Sequence, residues 1–580
     1  MSDERQNQPK SGNGGDRPFK KTGFGGNRVG QNGGERRYGR PTGGNGGEKR
    51  PFRSENRPAG GNFGEKKPSA RPVSGDKVEN NGEKRPFRGE NRPAGGKFGD
   101  RKPFGRPAGG DRKPPYGRPA PRGGDRRPEK ARPEQQEGLA SRRLALEVIR
   151  EVTEKGAYIN QVLNEKLQGS GLSALDRRLA AKLAYDTIEH QMTLDYALNQ
   201  LMARPDTDIK LRNVLRLGAC QILLEDRIPE SAACNTAVVL CKEIGLEGLA
   251  GVCNGILRNL VRQKDEIVWP DPETEPVKAL SIKHSVPEWL VERLQADWGE
   301  EAEAIMAFHE EETTITVRPN LLKHSDESFE KLLEGKVWEH QRTDVPHAWR
   351  IAHMADIGRD ASFVGGDFSI QSESSMMACY ALAPKLGATV LDCCAAPGGK
   401  SCLIAEMMQG TGRVQAWELH EHRTGLITAQ AKRLGIDNIR PMTRDASKYR
   451  MECVEAMDYV LLDAPCTGLG VMAGKPDVKY RVTPESVAEL TALQEKILDT
   501  VCQYVKKGGT LVYSTCSVLK DENERQAAAF LERHPEFEMV ELPDTIPEKY
   551  RQHAGVGLQL LPHRDHVEGF YICRMRRKRL

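Results

Sequence analysis

Thr389-Val390-Leu391-Asp392-Cys393-Cys394-Ala395-Ala396-Pro397-Gly398-Gly399-Lys400-Ser401 runs from a short apolar strand, through small residues and two glycines, into the helical pattern Cys402–Met408. A glycine-rich turn after a first strand lets a ligand approach the backbone at a helix N-terminus. The stretch is neither G-x-G-x-x-G nor the eight-residue phosphate loop, which disfavours a dinucleotide or ATP site. Downstream, strand patterns at Arg413–Glu418, Ile439–Thr443, Tyr459–Asp463 and Thr510–Tyr513 alternate with helical patterns at Thr424–Leu434 and Val487–Val505. This βαβ rhythm predicts a doubly wound, Rossmann-like α/β domain over residues 371–580.

In such a sheet, ligands bind outside the carboxyl ends of the strands. Four acids fall there. Asp392 ends the first strand, Glu418 the second and Asp463 the fourth, and Asp445 follows the third. Glu418 stands close to the spacing at which a carboxylate takes ribose hydroxyls. Asp445 is suited to receive an adenine amine. One such acid could be merely solvated; four at one crevice form a pattern.

Two cysteines share that edge. Cys466 lies in Asp463-Ala464-Pro465-Cys466-Thr467-Gly468, and Cys516 in Tyr513-Ser514-Thr515-Cys516-Ser517. Most free cysteines are small buried hydrophobes, the bland reading for Cys220, Cys234, Cys241, Cys253, Cys379, Cys402, Cys453 and Cys502. Loops at strand ends, in contrast, are where sites are built. Helical Asp521-Glu522-Asn523-Glu524 follows Cys516, and a helix N-terminus nearby favours a thiolate. A thiolate can add to C6 of a pyrimidine and make C5 able to accept a methyl group. The C5 proton must then leave and the adduct collapse, for which Cys466 is placed to help.

Further upstream, residues 1–136 are rich in Gly, Arg, Lys, Pro and Asn. Residues 1–135 hold 33 Lys and Arg against 16 Asp and Glu, a balance of +17 in a chain of net +5. Such a segment buries too little apolar surface to offset chain entropy and is expected to be a disordered arm. Glu48-Lys49-Arg50-Pro51-Phe52-Arg53 recurs at 83–88, but no hydrophobic face exists to stack into a solenoid. Aromatics spaced among Arg and Gly suit contact with phosphates and unpaired bases; a merely solubilising tail is the alternative. Residues 137–265 carry helical periodicity, as in Leu144, Val148 and Val152, and predict an all-α domain whose last helix starts near Asn254. A Pro- and acid-rich linker follows, then a small α+β module over 276–370.

Thirteen cysteines without a C-x-x-C pair make neither a disulfide scaffold nor a zinc site, so no metal and a reduced, cytoplasmic setting are expected. No membrane-spanning run or signal peptide is read.

Together these residues resemble the Sun family of RNA 5-methylcytosine methyltransferases. Asp392–Ser401 resembles its D-x-C-A-A-P-G-G-K-T motif, Asp463–Gly468 its D-A-P-C-S-G motif and Ser514–Ser517 its T-C-S motif. Gly366-Asp367-Phe368-Ser369-Ile370-Gln371 and Lys475-Pro476-Asp477-Val478-Lys479-Tyr480 resemble two flanking stretches, and residues 141–262 a NusB-like RNA-binding domain. The resemblance implies S-adenosyl-L-methionine as cofactor, RNA as partner, with 16S ribosomal RNA favoured by the NusB-like domain, and a monomer. Position by position, Cys394, Ala395, Ala396, Pro397, Gly398, Gly399 and Lys400 would wrap the methionine part, Glu418 the ribose and Asp445 the adenine. Asp463 would sit near the methyl group and the cytosine ring, Cys516 would be the nucleophile, and Cys466 would assist release. Ala473-Gly474 and Ser372 depart from the family pattern, which bears on RNA contacts. A tRNA enzyme, a non-catalytic RNA-binding factor, and a DNA-type enzyme attacking through the Pro465-Cys466 pair remain alternatives.

Overall fold

The computed structural model describes residues 138–308, 314–352 and 357–579. The arm expected at 1–136 lies outside the described residues.

Seven helices form the first domain: α1 (Leu139–Lys155), α2 (Ile159–Leu167), α3 (Ala174–Glu189), α4 (Gln191–Leu201), α5 (Ile209–Leu223), α6 (Glu230–Glu243) and α7 (Ala250–Gln263). The i, i+4 spacing of Leu144, Val148 and Val152 puts all three on the buried face of α1, in one core with Leu183, Leu198, Leu215 and Leu257. The last helix begins at Ala250, four residues before the expected start. Its apolar stripe (Ala250, Cys253, Leu257, Leu260) already opens there, so Asn254 and Gly255 sit within it.

Three helices follow, α8 (Pro276–His284), α9 (Glu288–Trp298) and α10 (Glu301–Ala307). Then comes an antiparallel sheet of β1 (Thr314–Pro319), β2 (Glu339–Arg342), β3 (Trp349–Ala352) and β4 (Phe368–Ile370), in the order β2-β3-β1-β4. Helices α11 (Asp326–Glu334) and α12 (Ala361–Val364) complete this small layer. Its own core is Val317, Phe329, Leu333, Trp349, Ile351 and Phe368. The helices α8–α10 do not share that core. Val286, Leu290, Leu294 and Ile305 pack with Leu469, Val478, Val518 and Leu519, in loops of the next domain. Periodicity predicts which face of a helix is apolar and leaves its partner open, so the stretch 276–370 read as one module in the sequence divides between two cores.

The large sheet contains β5 (Thr389–Asp392), β6 (Arg413–Glu418), β7 (Ile439–Thr443), β8 (Met457–Asp463), β9 (Val505–Thr515), β10 (Phe537–Met539), β11 (Ala554–Gly555), β12 (Gly557–Leu560) and β13 (Phe570–Arg577). Its order is β11-β12-β13-β9-β8-β5-β6-β7, with β10 on β13. The stretch β7-β6-β5-β8-β9 is parallel; β13 and β12 join antiparallel, so the sheet is mixed. Along β5, β8 and β9 the side chains alternate between two cores. Val390, Leu461 and Val512 face one, and Leu391, Val460, Leu462, Leu511 and Tyr513 the other. Burial on both faces is why these strands read as unbroken apolar runs. Helices α13 (Glu373–Leu382), α14 (Gly399–Met407), α15 (Glu421–Leu434), α16 (Pro484–Val501) and α17 (Glu524–Arg533) cover the sheet. Helix α16 stops at Val501, short of the expected Val505, because Val505 is already paired with Met457 in the sheet.

Candidate active site

The chain winds from β5 outward through β6 and β7, then crosses back to lay β8 on the other side of β5. The crevice at the carboxyl ends of β5 and β8 is therefore the topological switch point, where such sheets bind ligands. The site residues expected from the sequence lie on strand ends and loops at this edge, with Gly399 and Lys400 in the first turn of α14.

The loop after β5 enters α14 through Gly398, which has φ +110° and caps the helix. A Cβ at Gly398 would stand 3.1 Å from the Ile427 Cα, so a side chain would meet α15 there. Asp392 is fully buried at the root of this loop. Its Oδ2 accepts from the Ser401 hydroxyl at 2.6 Å, and its buried Oδ1 has no partner among the described residues. Burial pushes the Asp392 carboxyl up to about 7, although the Ser401 hydrogen bond opposes this.

Glu418, also buried, accepts from the His420 N–H and from Arg423 Nη1, both at 3.2 Å. Arg423 also donates to the Ala396 carbonyl at 3.3 Å and so ties the second strand end to the glycine loop. Asp445 accepts from the backbone and hydroxyl of Ser447, at 2.9 and 2.7 Å. The Asp463 carboxylate takes Lys400 Nζ on one oxygen (2.8 Å) and the Ser514 hydroxyl on the other (2.9 Å). Burial alone would lower the Lys400 ammonium; Asp463 overrides it and holds Lys400 above its ordinary value.

The two cysteines meet. Cys466 Sγ and Cys516 Sγ are 3.4 Å apart, both partly exposed. The hydrogen bond with Cys516, reinforced by burial, raises the Cys466 thiol well above its ordinary value. Of the thirteen cysteines only Cys394, Cys466 and Cys516 are partly exposed, and the other ten are buried. Burial likewise raises the Cys394 thiol, so Cys394 would serve the loop through its backbone.

Parts of the arrangement have no clear sequence signal. The Gly470 N–H donates to the Cys516 carbonyl, and the Gly569 N–H to the Gly470 carbonyl, each at 2.9 Å. A Cβ on Gly470 would fall 1.9 Å from the Gly569 oxygen, so only glycine allows the two loops this approach. Residues 521–523, expected to be helical, form a turn, and α17 starts at Glu524. Within that turn Glu522 is fully buried beneath the Cys466 loop. Upstream, the fully buried Arg318 of β1 pairs with Glu406 at 2.6 Å and donates to the Gln371 amide oxygen at 2.7 Å. Gln371 in turn lies beside Gly399, 3.8 Å from where a Cβ would stand.

Residues 475–481 form a joint with the helical domain and with α8. Arg481 donates to the Gly156 carbonyl at 2.6 Å and to that of Ala157, and packs over the Tyr158 ring at 4.5 Å. Tyr480 OH donates to the Glu189 carbonyl at 2.7 Å, and Lys479 Nζ to that of His284 at 3.2 Å. Burial draws the Lys479 ammonium down to about 8. Among the described residues there is no cluster of metal-ligating side chains, and no helix is long and apolar enough to cross a membrane.

Comparison with known proteins agrees along the chain. Residues 139–262 match the NusB family, 286–358 the ferredoxin-like domain of RsmF/B-like methyltransferases, and 379–576 the 16S rRNA methyltransferase RsmB/F family. The chain is 38% identical over 443 residues to the probable ribosomal RNA small subunit methyltransferase B of Bacillus subtilis, spanning 75% of this chain and 98% of that one. A Synechocystis protein of the same description is 33% identical over 446 residues, 76% of this chain and 100% of its own. Among solved structures, that of PH0851 superposes with a TM-score of 0.65 at 28% identity, covering 75% of this chain and 98% of that one.

Proposed function

Because this chain belongs to the RsmB/F family of 16S rRNA methyltransferases, we propose that it methylates C5 of one cytosine in 16S rRNA through a transient thioether to Cys516. The methyl donor is S-adenosyl-L-methionine. The residues present fit it: Gly398 and Gly399 open a path to the backbone at the start of α14, and the Glu418 and Asp445 carboxylates stand at the next two strand ends. In this reading residues 394–400 hold the methionine part, Glu418 the ribose and Asp445 the adenine.

The observation that carries the proposal is the contact of Cys466 with Cys516, in the loops after β8 and β9. The Cys516 thiolate adds its electron pair to C6 of the cytosine. The C5=C6 pair is thereby freed, and C5 takes the methyl group from the donor. Loss of the C5 proton to water re-forms the C5=C6 bond and expels the Cys516 sulfur as thiolate. The Cys466 thiol, kept protonated, donates to that sulfur and favours its departure. Asp463, held by Lys400 and Ser514, faces N3 and favours its protonated form while the adduct lasts. The base must leave any helix to reach the crevice, so the substrate cytosine is unpaired or flipped. The NusB-like domain and the basic arm supply salt-dependent RNA affinity, and the enzyme works in the cytoplasm.

Bisulfite sequencing of 16S rRNA from cells with and without the gene tests this. One protected cytosine should become convertible without it, and an unchanged map would overturn the proposal.

A further inference from the structure

Glu522 belongs to the acidic stretch Asp521-Glu522-Asn523-Glu524, expected to be helical; it lies in the turn before α17 and is 0% exposed. Its carboxylate collects three donors. The Thr467 N–H reaches Oε1 at 2.9 Å, the Thr467 hydroxyl reaches Oε2 at 2.6 Å, and Gln494 Nε2 reaches Oε1 at 3.0 Å. The same Gln494 nitrogen donates to the Pro465 carbonyl at 2.9 Å. Both neighbours of Cys466 are thus held from beneath by one buried carboxylate and one amide. The brace also touches the other loop and the strand before it: Thr467 Oγ1 lies 3.2 Å from Ser517 Oγ, and Tyr513 OH of β9 donates to the Glu522 main-chain carbonyl at 2.6 Å.

The two cysteines differ in what fixes them. Cys516 directly follows β9, whose Ser514 and Thr515 are laddered to Ile572 and Tyr571. Cys466 lies three residues beyond β8, in a loop without a ladder. We infer that Glu522 is a positioning residue that holds the Cys466 loop against Cys516, so that Cys466 can assist collapse of the RNA adduct. The inference rests on the roles proposed above for the two cysteines. A buried carboxylate with three donors is well satisfied, and a small displacement of a catalytic group has a large effect on rate.

The test is single-turnover methylation of 16S rRNA by the full chain, following formation and decay of the denaturation-resistant protein–RNA band separately. Glu522→Ala should slow decay by about tenfold or more while formation stays within about threefold, so the band accumulates. Glu522→Gln keeps the shape and an acceptor for the Thr467 N–H, and should restore decay. Thr467→Ala, a milder lesion of the same brace, should show the same imbalance to a lesser degree and decides the matter if Glu522→Ala does not fold. Equal slowing of both phases, or of neither, would overturn the brace. Cys466→Ala run alongside reports on the cysteine roles themselves. With no band there, those roles fall, and the brace with them.

Discussion

Cys466 and Cys516, fifty residues apart in the chain, touch through their sulfurs at 3.4 Å across the ends of two adjacent parallel strands. The register that pairs Asp463 with Ser514 brings them together, since each thiol leaves the sheet just beyond that pair. In the proposed mechanism the first to act is Cys516.

Cys516→Ala should abolish labelled-methyl transfer to 16S rRNA while cofactor affinity, read by isothermal titration, stays within about threefold, because the thiol belongs to the attack and not to the donor loop. Persisting turnover would point to Cys466, in its Pro465-Cys466 pair, as the attacker.

Cys466→Ala should instead leave a protein–RNA band that survives denaturing electrophoresis and depends on Cys516. The departing thiolate then lacks its hydrogen-bond donor, and the adduct outlives its formation.

The Arg318–Glu406 pair is fully buried, and Glu406 also accepts from the Leu321 N–H at 3.0 Å. Glu406→Ala leaves the guanidinium uncompensated and should cost about 3–5 kcal/mol of stability, read by denaturant unfolding. Cofactor affinity should fall with it, because Arg318 orients Gln371 beside Gly399.

Asp392 bears on pH. Its folded carboxyl titrates near 7, against about 3.9 for an unfolded Asp. The folded state therefore holds a proton that the unfolded state has released. This contribution to stability is full below about 4 and is lost as pH rises towards 7. Asp392→Asn removes the titration, so its melting temperature should vary less between pH 4 and 7 than that of the native chain.

At the domain joint, Arg481→Ala removes two hydrogen bonds to the carbonyls just past α1, the packing on Tyr158 and the ion pair with Asp477. Loss of charged hydrogen bonds worth about 2 kcal/mol should loosen the helical domain and raise KM for RNA by about tenfold, leaving cofactor affinity unchanged. Steady-state kinetics with each substrate varied in turn would separate the two effects.

Much of the site could be read from local pattern. Strand patterns followed by Asp392, Glu418 and Asp463 fall where β5, β6 and β8 end, because an apolar run closed by a polar residue is how a doubly buried strand is written. The glycine turn carries its own backbone signature, and Gly398 has the positive φ such a turn uses. Glu522 was illegible for the opposite reason. An acidic run looks solvated, and only Thr467, 55 residues earlier, and Gln494, 28 residues earlier, make it a buried acceptor. Gly470 meets Gly569 across a still longer stretch of sequence, and neither glycine signals the other.

The sequence by itself determined most of the elements, the strand-end acids, the glycine-rich turn and the two cysteines that follow β8 and β9, since these depend on residues within a few positions of one another. Tertiary structure alone decided which thiol loop is braced and by what. It also packed helices α8–α10 against the loops that follow β8 and β9, made residues 475–481 a domain joint, and closed the parallel sheet with antiparallel β13. Each of these is a pairing across tens to hundreds of residues. Its energy comes from burial and from satisfying polar groups in the folded state, and no local preference encodes it.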